Sequence, residues 1–106
     1  MAGVVPDVRG VLDALLGRTI PTLTGKPNRV LGVSRDAVIV GTDRSPQGQE
    51  VEIANIQKAV NDLYRYGVLE ISVATVGYRS AFVGAVLSTL PGAIAETRPR
   101  RIRLQG

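Results

Sequence analysis

The side chains of this chain that could do chemistry are arginines and hydroxyls, gathered in three places. Arg98, Arg100, Arg101 and Arg103 crowd the C-terminal stretch, Tyr78-Arg79-Ser80 stands ahead of an apolar segment, and Thr42-Asp43-Arg44-Ser45-Pro46-Gln47-Gly48 forms a polar loop. Guanidinium forks match phosphate oxyanions and release counterions on binding, so the terminal arginines suit phosphate contacts. Their alternative is a solvated basic linker. Tyr78, Arg79 and Ser80 offer a stacking ring, a cation and a hydroxyl beside the free N–H groups of a helix N-terminus. The loop sets hydroxyls and Arg44 beside a turn glycine and could cradle a phosphate, but it lacks the GKS/T ending of a P-loop, so nucleotide hydrolysis is not expected. A plain connecting loop is its alternative. Lys26, Asn28 and Arg29 carry the same choice. Tyr64 and Tyr66 read as packing residues before base stackers.

The absent residue types narrow the function classes. Without histidine or cysteine, thiol catalysis, histidine-assisted serine hydrolysis and the usual zinc sites are closed to this chain on its own. Its nine acids are scattered rather than clustered. No cofactor and no catalytic residue are therefore expected. The lack of cysteine also removes a disulfide frame.

The net charge of +4 is unevenly placed. Residues 96–106 hold four arginines against one acid, or +3, which leaves +1 for the other 95 residues. The basic character belongs to the tail and the body is close to neutral. At 106 residues and 44% apolar content, one domain with one core is expected. No apolar run reaches membrane-spanning length and the N-terminus lacks a signal-peptide layout, so the cytoplasm and no membrane partner are expected.

The elements that must position these residues follow from periodicity. In VEIANIQKAVNDLYRYG, Ile53, Ile56, Val60 and Leu63 form an apolar stripe widened by Ala59 and Tyr64, with Lys58, Asn61, Asp62 and Arg65 opposite and Gly67 closing the helix. VLEISVATV is rich in β-branched residues and predicts a buried strand. A second helix from about Arg79 to Leu90 gathers Phe82, Val83, Val86, Leu87 and Leu90 before Pro91-Gly92 stops it. Upstream, Asp7 caps a helix whose apolar face is Val8, Val11, Leu12, Leu15 and Leu16, with Gly17 as its stop. PTLTGKPNRV reads as an irregular polar turn. RVLGVSRDAVIVGT predicts a hairpin about Ser34-Arg35-Asp36, and the loop up to Glu50 delivers the chain to the central helix. Ile102 and Leu104 alternate with Arg101 and Arg103, so residues 96–106 are an edge strand, because of Pro99, or a linker to a following domain.

Helix, strand and helix beside a hairpin predict an α+β, winged-helix-like domain over residues 1–95. Its second central helix would meet DNA with its start. Yet Ala81–Leu90 holds no charged side chain, and a helix lying along a major groove presents several polar ones. That helix is therefore expected to be core, touching DNA end-on if at all.

The series LLGRTIPTLTG-PNRVLGV, VGTDRSPQGQEVEI, IQKAVNDLYRYG and GYRSAFVGAVLSTLPG resembles the N-terminal domain of McrA-like, modification-dependent (type IV) HNH restriction endonucleases, from about Val8 to Pro91. In such proteins a domain of this kind precedes modified-base readers and the nuclease. The resemblance implies a DNA-binding or specificity module, with cleavage in another domain, since the histidine-rich nuclease signature is absent here. The expected partners are double-stranded DNA, plain or modified, and other domains of the same polypeptide. The expected DNA-binding residues are Arg44, Ser45, Tyr78, Arg79, Ser80, Arg98, Arg100, Arg101 and Arg103. The rival expectation is a docking module that packs on a partner domain or its own copy, favoured by the neutral body.

Overall fold

A computed structural model describes residues 4–77 and 79–105. The chain opens with α1 (Val8–Leu15), whose N-cap Asp7 accepts a hydrogen bond from the Arg9 N–H at 2.9 Å. Val8 and Leu12 are fully buried, while Leu16 is left exposed. A pair of bonds ties this helix to the body: the Val8 N–H donates to Gln57 Oε1 at 2.8 Å, and Gln57 Nε2 donates to the Pro6 carbonyl at 3.0 Å.

Next comes a four-stranded antiparallel meander, β1 (Thr19–Pro21), β2 (Pro27–Val33), β3 (Ala37–Gly41) and β4 (Gln49–Glu52), paired in that order. The expected β2–β3 hairpin is present, closed by the Ser34 hydroxyl, which donates to the Ala37 carbonyl at 3.0 Å. The outer two strands escaped the sequence pattern. β1 is three residues ending in Pro21, tolerable only at a sheet edge. β4 buries Val51 between exposed acids, too short an alternation to register as a strand. The loop after β3 therefore delivers the chain to β4 before the helix.

The central helix, α2 (Ile53–Tyr66), ends on Gly67 at φ 78°, whose N–H donates to the Leu63 carbonyl at 2.7 Å. Ile56, Ala59, Val60 and Leu63 are buried as the stripe predicted. The expected buried strand over VLEISVATV is corrected. Only β5 (Val68–Glu70) is extended, and neither Val68 nor Glu70 is buried. Val73–Val76 is a short helix, α3, started by a capping box between Ser72 and Thr75. Two reciprocal cap bonds outweigh the weak β preference of valine and threonine.

The last helix, α4 (Ser80–Ser88), buries Phe82 through Leu87 on all sides. It lies against α2, α3, β1 and the final hairpin, β6 (Ala93–Thr97) and β7 (Arg100–Leu104). A β-carbon at Gly84 would sit 2.8 Å from Ile71 Cγ2, so α4 approaches the end of β5 as closely as glycine permits. β5, β7 and β6 form the second sheet, with β7 in the middle. Of the expectation over residues 96–106, the strand is present as β7, but its edge position and the linker alternative are corrected. Pro99 lies between the strands, where it removes no ladder donor, and Ile102 is fully buried. The buried residues of both sheets and the helices form one contiguous core, so the tail belongs to the domain. Among the described residues, no helix is long and apolar enough to cross a membrane.

Candidate nucleic-acid interface

Residues drawn from four separate stretches meet where α4 begins. Arg79, its N-cap residue, adopts a left-handed conformation at φ 61° and turns the chain into the helix. On one side, Arg79 and Ala81 share a small cavity with Asn28 of β2 and Thr42 after β3. On the other, Ser80 and Ala81 share a cleft with Thr22, Thr24 and Arg100. Arg100 also lines the neighbouring cleft with Glu70, Ser72 and Pro99. The β1–β2 turn, the start of the β3–β4 loop and the β6–β7 hairpin thus surround the first turn of α4. β1 lies against that helix, and in β2 Asn28 is buried between exposed Pro27 and Arg29.

The expected site residues divide accordingly. Ser80 and Arg100 line one cleft, Arg79 lines the cavity on the other side of the helix start, and Arg98 is exposed in the turn of the β6–β7 hairpin. Tyr78 lies outside the described residues. Arg44 is exposed in the β3–β4 loop. Ser45 is engaged internally: its N–H donates to Thr42 Oγ1 at 3.1 Å, and its hydroxyl accepts from Gln49 Nε2 at 3.1 Å. The Thr42 and Gly48 N–H groups both donate to the Ser45 carbonyl. Three of the loop's amides, those of Thr42, Ser45 and Gly48, are thus engaged within the loop, which favours the connecting-turn alternative. Gly48, at φ 101°, is its left-handed residue.

Arg101 and Arg103 are placed differently. They share the outer face of the second sheet, where both pair with Glu96 of β6, Arg101 through Nε to Oε1 and Arg103 at 3.6 Å to Oε2. The Arg101 hydrogen bond, with the charges of Arg101 and Arg103, holds the Glu96 carboxyl below its ordinary value. Opposite Arg101 on the other flank stands Glu70. This face is balanced in charge rather than basic.

Of the two tyrosines read as packing residues, Tyr64 packs against the core, but Tyr66 is 64% exposed, with the Arg65 guanidinium 5.4 Å from its ring centre. A wider groove, about 460 Å³, lies on the outer face of the first sheet between Arg29, Leu31, Gly41 and Asp43. It holds one cation and one anion, and of the convergent residues it includes Thr42 but not Asn28, Arg79, Ser80 or Arg100. Chemistry thus favours the start of α4, although shape alone would favour the groove. The sequence pointed to Arg79, Ser80, Arg100 and Asn28 by type but left the burial of Asn28 beside them unread. The period-2 alternation Pro27, Asn28, Arg29, Val30 was the available signal.

Comparisons with known protein families, with characterised proteins and with solved structures find nothing that matches this chain.

Proposed function

We propose that this domain is a non-catalytic, winged-helix-like module that binds duplex DNA end-on through the first turn of α4, as one part of a larger cytoplasmic restriction endonuclease. The observation that carries this is the convergence of Arg79, Ser80, Arg100 and the Thr42 turn on one helix end. The winged-helix assignment draws on element order: α2, β5, α3 and α4 precede a hairpin, with strands arranged β5-β7-β6. In that arrangement the β6–β7 turn, carrying Arg98, is the wing, and α4 is the helix presented to DNA. Here α4 is buried among α2, α3, β1, β6 and β7, so its start and the flanking arginines are what can reach a duplex. Arg44, Arg79, Arg98 and Arg100 would contact phosphates, and sequence or modification preference would be secondary.

The burial of α4 and the Glu96 pairs favour a second reading, a docking module that touches no nucleic acid. Salt separates the two. DNA binding through phosphates weakens linearly on a log–log plot against salt, whereas apolar docking does not. A gel-shift series with plain, methylated and single-stranded DNA at two salt concentrations is expected to show duplex binding that falls steeply with salt. Arg79→Ala should flatten that slope by about one unit through loss of one phosphate contact. No binding at low salt would replace this reading with the docking module. The isolated domain is expected to cut no DNA and hydrolyse no ATP, with or without a divalent metal. Nicking abolished by mutating one of its own carboxylates would contradict that.

A further inference from the structure

The two sheets have four edge strands between them, and three of the four are guarded. β1 ends on Pro21, β4 carries exposed Glu50 and Glu52, and β5 is only three residues long. Prolines, charges and shortness are what keep an edge from pairing with another chain. β6 lacks these guards. It runs five residues in unbroken register with β7, and its one charge, Glu96, is held by Arg101 and Arg103.

The register also fixes which groups this edge offers. The Gln105 N–H donates to the Gly92 carbonyl at 2.8 Å, one step beyond the pairing of Ala93 with Leu104. Bonded and non-bonded pairs alternate along an antiparallel ladder. Ile94 and Glu96 therefore bond β7, while Ala93, Ala95 and Thr97 turn their N–H and C=O groups outward. The Ala93 N–H is taken by the Leu90 carbonyl at 3.1 Å. Those of Ala95 and Thr97 have no acceptor among the described residues. Both residues are exposed, although they share the sheet face that carries buried Ile102.

We propose that β6 is the pairing edge of a two-fold dimer, in which the same strand of a second copy lies antiparallel to it with Ala95 on the axis. Centred there, the two Ala95 residues exchange N–H···O=C bonds, and each Thr97 N–H meets the partner's Ala93 carbonyl. Every free donor is used, and the occupied Ala93 N–H is not needed. Centring on Glu96 would set two carboxylates directly opposite, which destabilises a sheet. Centring on Ile94 would call on the Ala93 N–H already given to Leu90. In the Ala95 register, Glu96 stands opposite the partner's Ile94 and stays neutralised by its own arginines. The edge is thus complementary to itself in donors, acceptors and charge, as a two-fold interface requires. An edge of five residues buries little area, so the dimer belongs to the weak, reversible class. The pairing uses no residue that lines the clefts at the start of α4. It therefore stands or falls apart from the DNA reading, which the gel-shift series decides.

Amide hydrogen exchange of the whole chain, followed up to about 1 mM alongside sedimentation, tests it. Exchange at Ala95 and Thr97 should slow as dimer mass appears, while Ile94 and Glu96, already bonded to β7, should not change. Ala95→Lys and Ala95→Glu each set like charges face to face from an exposed position. Each should weaken self-association about tenfold or more. Mixing the two variants should restore association as a heterodimer, and amide spectra report that each keeps the fold. Monomer mass at every concentration overturns the proposal and leaves the edge to a strand from a different chain. A dimer that protects other amides, or that both charge variants form as the parent does, overturns it too.

Discussion

Arg98 and Arg100 differ from Arg101 and Arg103, although the four lie within six residues of one another. Arg101 and Arg103 point to the outer face of the second sheet and share Glu96. Arg98 and Arg100 sit at the hairpin turn, and Arg100 lines a cleft with Ser80 at the start of α4. The strand itself makes the division, since successive side chains on β7 face opposite sides. Once it folds, a run of like charges is two surfaces, one neutralised within the chain and one still available to a partner. Counting the tail as +3 therefore overstates what it can offer DNA.

The largest effect should come from removing the strand that makes this division. Ile102 is fully buried at the centre of β7, and Ile102→Ala should cost about 2–5 kcal/mol of stability by denaturant unfolding. Deleting residues 97–106 should for the same reason unfold the domain rather than trim an appendage. A truncated chain that keeps its cooperative transition would mean that β7 is dispensable.

A somewhat smaller loss should follow from Gly84→Ala, which places a methyl 2.8 Å from Ile71 Cγ2. Overpacking of this kind costs about 1–3 kcal/mol. The Ile71 N–H donates to the Arg100 carbonyl at 2.9 Å, so the strain is passed to the hairpin residue that flanks α4. Duplex affinity should fall with stability here, whereas a stability loss of similar size at Leu63→Ala should leave affinity per folded molecule unchanged. Equal affinities for the two variants would separate Arg100 from the interface.

The smallest effect concerns the neutralised pair. The Glu96 carboxyl titrates below its unfolded value, chiefly because Arg101 hydrogen-bonds it. A group with a depressed folded pKa contributes stability above the unfolded pKa and loses it as pH falls through the folded one. The advantage of the parent over Glu96→Gln should therefore be present at neutral pH and vanish in acid. Because the pair is partly exposed, salt should shrink it as well. An advantage that persists below the carboxylate range would assign the role of Glu96 to packing.

Much of this arrangement was legible beforehand, for identifiable reasons. α2 and the burial of α4 follow from strong apolar stripes and an uncharged segment, signals that a single core enforces. The failures fall where tertiary pairing decides. VATV is β-branched yet helical because Ser72 and Thr75 cap each other. QEVE and TIP become strands only because neighbours supply their hydrogen bonds. Pro99 suggested an edge, but it lies in the turn, and the strand after it is central. Of the site, Arg79, Ser80 and Arg100 were visible as residue types. Their meeting was not, since it depends on β1 covering α4 and on the hairpin folding back beside it.

Salt dependence of duplex binding by two paired variants tests the division most directly. Replacing Arg98 and Arg100 together with alanine should flatten the log–log slope by about 1.8 units, at roughly 0.9 per phosphate contact. Replacing Arg101 and Arg103 together should leave it within error of the parent. Equal flattening by both pairs, or flattening by the second alone, would contradict the account.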